Sequence, residues 1–159
     1  MEKSQKKEVQ TAQQFLTFLV QEQEYGLDLL TIKEIQAYTP VTAIPNVPSY
    51  VRGVMNLRGT VLPVVDLRMR FGLPVREYDK FTVVLIAMIS GKMVGLLVDA
   101  ISDVITVEAE QLRPAPDFGP AVDSRFIDSV FQTHDRLAVV LNLDKLLADQ
   151  EIHSELVAA

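Results

Sequence analysis

The sequence predicts a mainly β protein built from two copies of one small β unit, each closed by a short helix. Three observations point there. Short apolar, β-branched runs alternate with turn signals along the chain, the pattern of small barrels or a sandwich. Two proline-rich loops punctuate it: Pro40, Pro45 and Pro48, then Pro114, Pro116 and Pro120. Proline removes a ladder donor, so these segments skirt the sheets. The chain also repeats itself. "YGLDLLTIKEI" (25–35) lies on "VGLLVDAISDV" (94–104) at an offset of 69 residues (94 − 25), which also sets Pro45 on Pro114. "VRGVMNLRGTVLPVVDLRMRF" (51–71) lies on "IDSVFQTHDRLAVVLNLDKLL" (127–147) at an offset of 76 (127 − 51), so the second proline loop carries an insertion.

Each element follows in order. Residues 1–12, with Lys3, Lys6 and Lys7, read as a polar, flexible tail without a secretory h-region. Phe15–Val20 reads as a strand and Tyr25–Leu30 as its hairpin partner. The apolar runs on either side of Asn56-Leu57-Arg58-Gly59 read as two more, with Gly59 supplying a left-handed turn residue. Asp66 is placed to cap a short helix that Gly72 and Pro74 stop. Phe81–Ile89 and Met93–Val98 flank the tight-turn signal Ser90-Gly91-Lys92. Leu137–Leu141 is a further strand, and Asn142, the repeat counterpart of Asp66, caps a C-terminal helix from Leu143 to about Leu156. The copies span about 13–78 and 79–150 within one domain (13–150), with strand exchange at their ends and a polar extension at 151–159. A copy of roughly 65 residues buries little apolar surface alone, so the two should share a core.

Composition narrows the function. Apolar residues make up 48% of 159, enough for a real core. There is no cysteine, which excludes disulfides, thiolate metal sites and thiol nucleophiles and suits a reducing compartment. The net charge of −6 disfavours a duplex-binding surface. No apolar run reaches the roughly 18 residues of a membrane helix. The sequence therefore reads as cytoplasmic.

Catalytic constellations are missing. His134 and His153 lack metal-ligand spacing, and no Walker loop, GxGxxG or GxSxG occurs. Asp99, Asp103, Glu108 and Glu110 form either a solvated acidic face or, less simply, an acid–base pair. What stands out is charge asymmetry. Arg52, Arg58, Arg68, Arg70 and Arg76 crowd the first copy, and the second carries acids from Asp99 through Asp117 and Asp123 to Asp128. Two readings stay open: a molecule with basic and acidic ends, or charges dispersed around both units.

"LLTIKEI", "IPNVPSYVRGVMNLRGTVLPVVDLRMRFG" and "GLLVDAISDVITV" resemble the CheW family of chemotaxis coupling proteins over about residues 13–150. The run N-L-R-G, two residues, P-V-V-D-L-R is its most specific part. The resemblance implies two small five-stranded Src-homology-type β-barrels packed around a shared core. It implies no catalytic activity and no cofactor or metal. It also implies an adaptor, recruited to receptor arrays, that couples the cytoplasmic tip of transmembrane chemoreceptors to the regulatory domain of the histidine kinase CheA. By resemblance, Ile32, Glu34, Gly53, Arg58 and Val104 face the receptor, and Val41, Thr60 and Val61 face the kinase. Ordinary core packing competes for Ile32 and Val104, and a packing requirement competes for Gly53, which Ser129 answers in the repeat. The partner of Arg58 is left open between a carboxylate on a neighbouring loop and one on the receptor. A small-barrel nucleic-acid-binding protein is the alternative, motivated by the five arginines. Against it stands the want of aromatic stacking platforms near them. An enzyme using the acidic patch is the third reading.

Overall fold

Two five-stranded sheets make up the protein, and neither is built from one copy of the repeat. The computed structural model describes residues 12–115 and 124–147. Its strands are β1 (Ala12–Val20), β2 (Gln23–Asp28), β3 (Ile32–Ala37), β4 (Val51–Leu57), β5 (Thr60–Asp66), β6 (Val83–Ile89), β7 (Lys92–Val98), β8 (Ala100–Glu108), β9 (Ile127–Thr133) and β10 (Arg136–Leu141). Helix α1 (Leu67–Arg70) follows β5 and helix α2 (Leu143–Leu146) follows β10. Sheet I has the order β3-β6-β7-β5-β4 and sheet II the order β8-β1-β2-β10-β9. The offsets of 69 and 76 carry β1–β5 onto β6–β10 one for one, and they carry sheet II onto sheet I. Each copy thus gives its first hairpin to the last three strands of the other.

The exchange is fixed by four pairings between copies. β1 runs antiparallel to β8 and β3 to β6, while β2 runs parallel to β10 and β5 to β7. The boundary near residue 78 is therefore one of the repeat and not of the sheets. Irregularities are duplicated as well. β3 bulges between Ile32 and Glu34 and β4 between Val51 and Gly53. In the second copy the ladder shifts opposite Thr17/Phe18 and at Val140/Leu141. A paired irregularity at repeat-related sites reflects the same twist requirement in both sheets.

Burial explains why the central strands read as nearly continuous apolar runs. One face of each sheet enters a common core holding Leu16, Phe18, Tyr25 and Leu27 from β1 and β2 with Leu85, Leu96 and Val98 from β6 and β7. The other face has a core of its own: Leu62, Val64, Val84, Ile86 and Leu97 in sheet I, and Phe15, Val107, Phe131, Ala138 and Val140 in sheet II. Strands covered on both faces lose the in–out alternation. A bridge ties the segment leaving each outer strand to the opposite edge, Thr42 to Val54 and Arg113 to Val130. Because Thr42 and Arg113 are equivalent, the repeat offset has slipped to 71 (113 − 42) there, and Pro45 does not strictly match Pro114.

The expected caps are present. The Asp66 side chain accepts from Met69 N at 3.3 Å and that of Asn142 from Lys145 N at 3.0 Å. Their backbone amides donate to Tyr50 O (2.8 Å) and Phe126 O (2.7 Å), again repeat counterparts. Arg70 lies between those two rings, 4.6 Å from each centroid, and donates to Leu146 O at 2.9 Å. One guanidinium from the first copy thus binds elements of both, including the end of α2. The helix expected to reach about Leu156 is described only over Leu143–Leu146. The rest of it, with His153, the 151–159 extension, Pro116, Pro120, Asp117, Asp123 and residues 1–11, lies outside the described residues.

A chain opened at Val75, exposed between the copies, should give two fragments that do not fold as monomers. Mixed in equal amounts they should regain the size and the dispersed amide spectrum of the intact protein. A fragment that folds alone as a monomer would overturn the exchange.

Candidate functional site

The turn joining β4 to β5 puts its arginine in an unusual backbone state. Arg58 has φ 49° and Gly59 φ 92°, so both central residues are left-handed, the geometry that matches hairpin twist. A Cβ on Gly59 would meet nothing within 4 Å, so the conformation and not space requires glycine. Asn56 Oδ1 accepts from Gly59 N at 2.8 Å and braces the turn. The equivalent turn holds His134 at φ 50°. A left-handed residue is thus needed at this place, but its identity is not dictated by the fold.

The arginine's partner is Glu34 on β3. Nη1 donates to Oε1 at 3.1 Å and Nη2 to Oε2 at 2.6 Å, a fork-to-fork pair. β3 and β4 are the two outer strands of sheet I, so the pair spans its edges. Arg58's hydrogen bonds, then one from Gln36 Nε2 at 3.3 Å, hold the Glu34 carboxyl below its ordinary range. The same bond raises the Arg58 guanidinium. With side chains 71% and 31% exposed, solvent screens the attraction, and the pair acts mainly to orient its charges. The linkage favours the fold above the ordinary carboxylate range and is lost as acid protonates Glu34.

Gly53 sits behind this hairpin for another reason. Its φ is 151°, and a Cβ there would lie 2.1 Å from Thr42 O. That oxygen accepts from Val54 N at 2.8 Å in the bridge between the edges. Gly53 is buried, so its direct role is close packing of backbone on backbone. Ile32 is half-buried against the common core. Val104 is 46% exposed on β8 of sheet II, opposite Leu16. Among the described residues no bond or shared core links it to the Arg58–Glu34 pair. Val41 is half-buried on the sheet I core beside Met55, which differs from the exposed barrel end expected for it, while Thr60 and Val61 lie exposed where β5 begins.

The first-copy arginines do not form a basic end. Arg68 makes a bidentate pair with Asp99 of the second copy, Nε–Oδ1 2.9 Å and Nη2–Oδ2 2.7 Å. Arg76 pairs with Asp79 at 2.5 Å and lies 3.7 Å from Asp99. Arg52 donates to Met69 Sδ at 3.6 Å and lies over Tyr78. Of the acids that crowd the second copy, Asp99 is drawn in among these arginines, so the two sets of charges are joined at the crossover. Burial works to raise the Asp99 carboxyl, but the bonds from Arg68 and Gln21 N outweigh it and leave it lowered. Aromatic rings do gather near these arginines, contrary to expectation. Yet Tyr50, Phe126 and Tyr78 stack on guanidiniums within the fold and offer no platform to bases. Among the described residues no His, Asp and Glu group is arranged to hold a metal.

Sequence reasoning missed Leu30, 85% exposed in the crossover turn from β2 to β3. A signal was available, since the repeat sets this leucine against Asp99. It also missed Ile35, 45% exposed and the repeat counterpart of Val104.

Comparison with known proteins gives a consistent result. The model of the CheW-like domain matches residues 14–151. The chemotaxis protein CheW of Klebsiella aerogenes is 38% identical over 140 residues, 88% of this chain and 84% of that protein. That of Bacillus subtilis is 31% identical over 147 residues, 92% of this chain and 94% of the relative. The crystal structure of the scaffolding protein TtCheW from Thermoanaerobacter tengcongensis is similar at a TM-score of 0.79 and 32% identity, covering 84% of this chain and 91% of that one.

Gly53→Ala should lower stability to urea by about 2–4 kcal/mol, since backbone must move to admit the methyl group. Arg58→Ala should leave the melting temperature nearly unchanged while Glu34 titrates at higher pH, as followed by carbon NMR of its carboxyl. An unmoved Glu34 titration would show that the pair does not persist in solution.

Proposed function

This chain belongs to the CheW family of chemotaxis coupling proteins, and we propose that it is a non-catalytic adaptor holding chemoreceptor tips and the kinase CheA together in signalling arrays. The observation that carries the reading at residue level is the Arg58–Glu34 pair. Its guanidinium is exposed, its orientation is set by a bidentate partner, and the repeat closes the equivalent hairpin with a histidine at its place. A charge that the fold does not need and yet holds in place is suited to a partner. Ile32, Glu34, Arg58 and Val104 are the proposed receptor-facing residues. Gly53 joins them by keeping β4 against Thr42, so that the hairpin carries Arg58 at the right height. An amphipathic receptor helix laid along such a face would set apolar anchors on the Ile32 and Val104 side chains. The kinase regulatory domain is proposed to meet Thr60 and Val61, with Val41 supporting them from beneath.

Among the described residues no helix is long and apolar enough to cross a membrane, so recruitment through receptors is the proposed route to the membrane from the cytoplasm. The nucleic-acid alternative finds no support. The net charge is −6, and the five arginines that motivated it are engaged within the fold.

Folded protein should sediment with receptor-containing membranes and, separately, bind the isolated kinase regulatory domain. Arg58→Ala should weaken the first association at least several-fold and spare the second. Failure of folded wild-type protein to associate with either would end this reading, and equal loss of both by Arg58→Ala would end the division of faces.

A further inference from the structure

A cavity of about 610 Å³ opens at one end of sheet II, within the range of specific binding pockets. Leu19, Glu22, Glu24, Arg76, Phe81, Asp99, Arg136 and Leu137 are among its walls. Phe81 is 59% exposed and Leu137 37%, so its rim carries apolar surface.

Glu24 is the unexplained group. The residue is only 6% exposed, next to the start of β2 and between Leu19 and Ala138 on the neighbouring strands. Among the described residues no hydrogen bond or ion pair reaches its carboxylate. No side-chain oxygen sealed from solvent lacks a partner, so the carboxylate oxygens must be the part of the residue still open, and they open into this cavity. The carboxylate thus faces the cavity with no protein cation among the described residues bound to it, which leaves it open to a charge from outside. The other charges there differ. Asp99 is held by Arg68 and by Gln21 N at 2.9 Å, and Arg76 by Asp79. Glu22 and Arg136 are exposed at the rim.

The repeat shows that the fold does not ask for an acid here. Sheet I carries Met93 at the position of Glu24, packed on its own small core. Sheet II thus carries, in place of an apolar side chain, a carboxylate that opens to the cavity beside apolar walls.

We propose that this cavity receives a lysine or arginine side chain of a protein partner. Its charge would meet Glu24 and its aliphatic stem would lie along Leu19, Phe81 and Leu137. Arg136 at the mouth repels a bare cation and selects a basic residue with an acidic neighbour. This surface lies where the end of sheet II meets the segment between α1 and β6, and shares no residue with the Arg58–Glu34 pair.

The test titrates the full chain with n-hexylammonium, n-hexanol and n-hexanoate, following amide shifts around residues 19–24 and 136–138. Hexylammonium should bind saturably and about tenfold more tightly than hexanol, the equivalent of one modest charge-assisted contact. Hexanoate should bind worst. Glu24→Gln should abolish the preference for the cation while leaving hexanol binding in place. Glu24→Met, which copies the residue of the other sheet, should do the same with a raised melting temperature. Arg136→Gln should tighten hexylammonium binding. Equal binding of cation and alcohol, absence of saturable cation binding, or a preference that survives Glu24→Met would each overturn the proposal.

Discussion

The parallel pairings of β2 with β10 and of β5 with β7 are the constraint on which the rest depends. Parallel neighbours cannot be joined by a tight turn, so β5 reaches β7 only by way of α1 and β6, and β2 is separated from β10 by the whole of sheet I. The chain leaves sheet II after β2, builds all five strands of sheet I and returns with β8. Each copy is left with a hairpin that has no sheet of its own and three strands that lack a centre. Neither sheet can be completed without strands of both copies, and the common core is the surface on which the two sheets meet.

The polar contacts fall where the chain crosses between sheets. Asp99 lies between β7 and β8 and gathers Arg68, Arg76 and the β1–β2 turn. Its side chain is only 16% exposed, which makes the geometry of the Arg68 fork necessary, because a lone carboxylate there would be costly. Arg70 acts in the same way between Tyr50 and Phe126, related positions of the two copies. Both arginines come from the first copy and neither has an arginine at its repeat position, where Asp144 and Leu146 stand instead. The sheets match in topology, but the crossovers are held by residues that broke the symmetry.

That loss of symmetry is also where the proposed sites lie. Repeat positions that must do the same structural work keep the same type of residue: Asp66 and Asn142 as caps, Arg58 and His134 as left-handed turn residues. Positions that differ in chemistry without changing the backbone are free for other uses. Arg58 reaches Glu34 across the edges of sheet I, and Glu24 stands where sheet I has a methionine. Two such proposed sites, one on each sheet, would let one scaffold hold different partners on different sheets.

The sequence by itself determined what acts over a few residues. Turns were legible at Arg58-Gly59 and Ser90-Gly91, caps at Asp66 and Asn142, and the duplication in its two offsets, because a cap or a left-handed turn depends on side chains within one turn of the chain. It also placed Glu34 and Arg58 in one candidate site, though only through family resemblance. Tertiary structure alone decided which strands are neighbours, since β-branched apolar runs are interchangeable until two faces must both be buried. It decided that Gly53 is fixed by Thr42 O and not by its turn, and that Arg58 meets a carboxylate 24 residues away. It also brought Arg68 of the basic stretch onto Asp99 of the acidic one, 31 residues apart. Attraction between charges distant along the chain depends on where the backbone carries them, and here the exchange of hairpins carries them together.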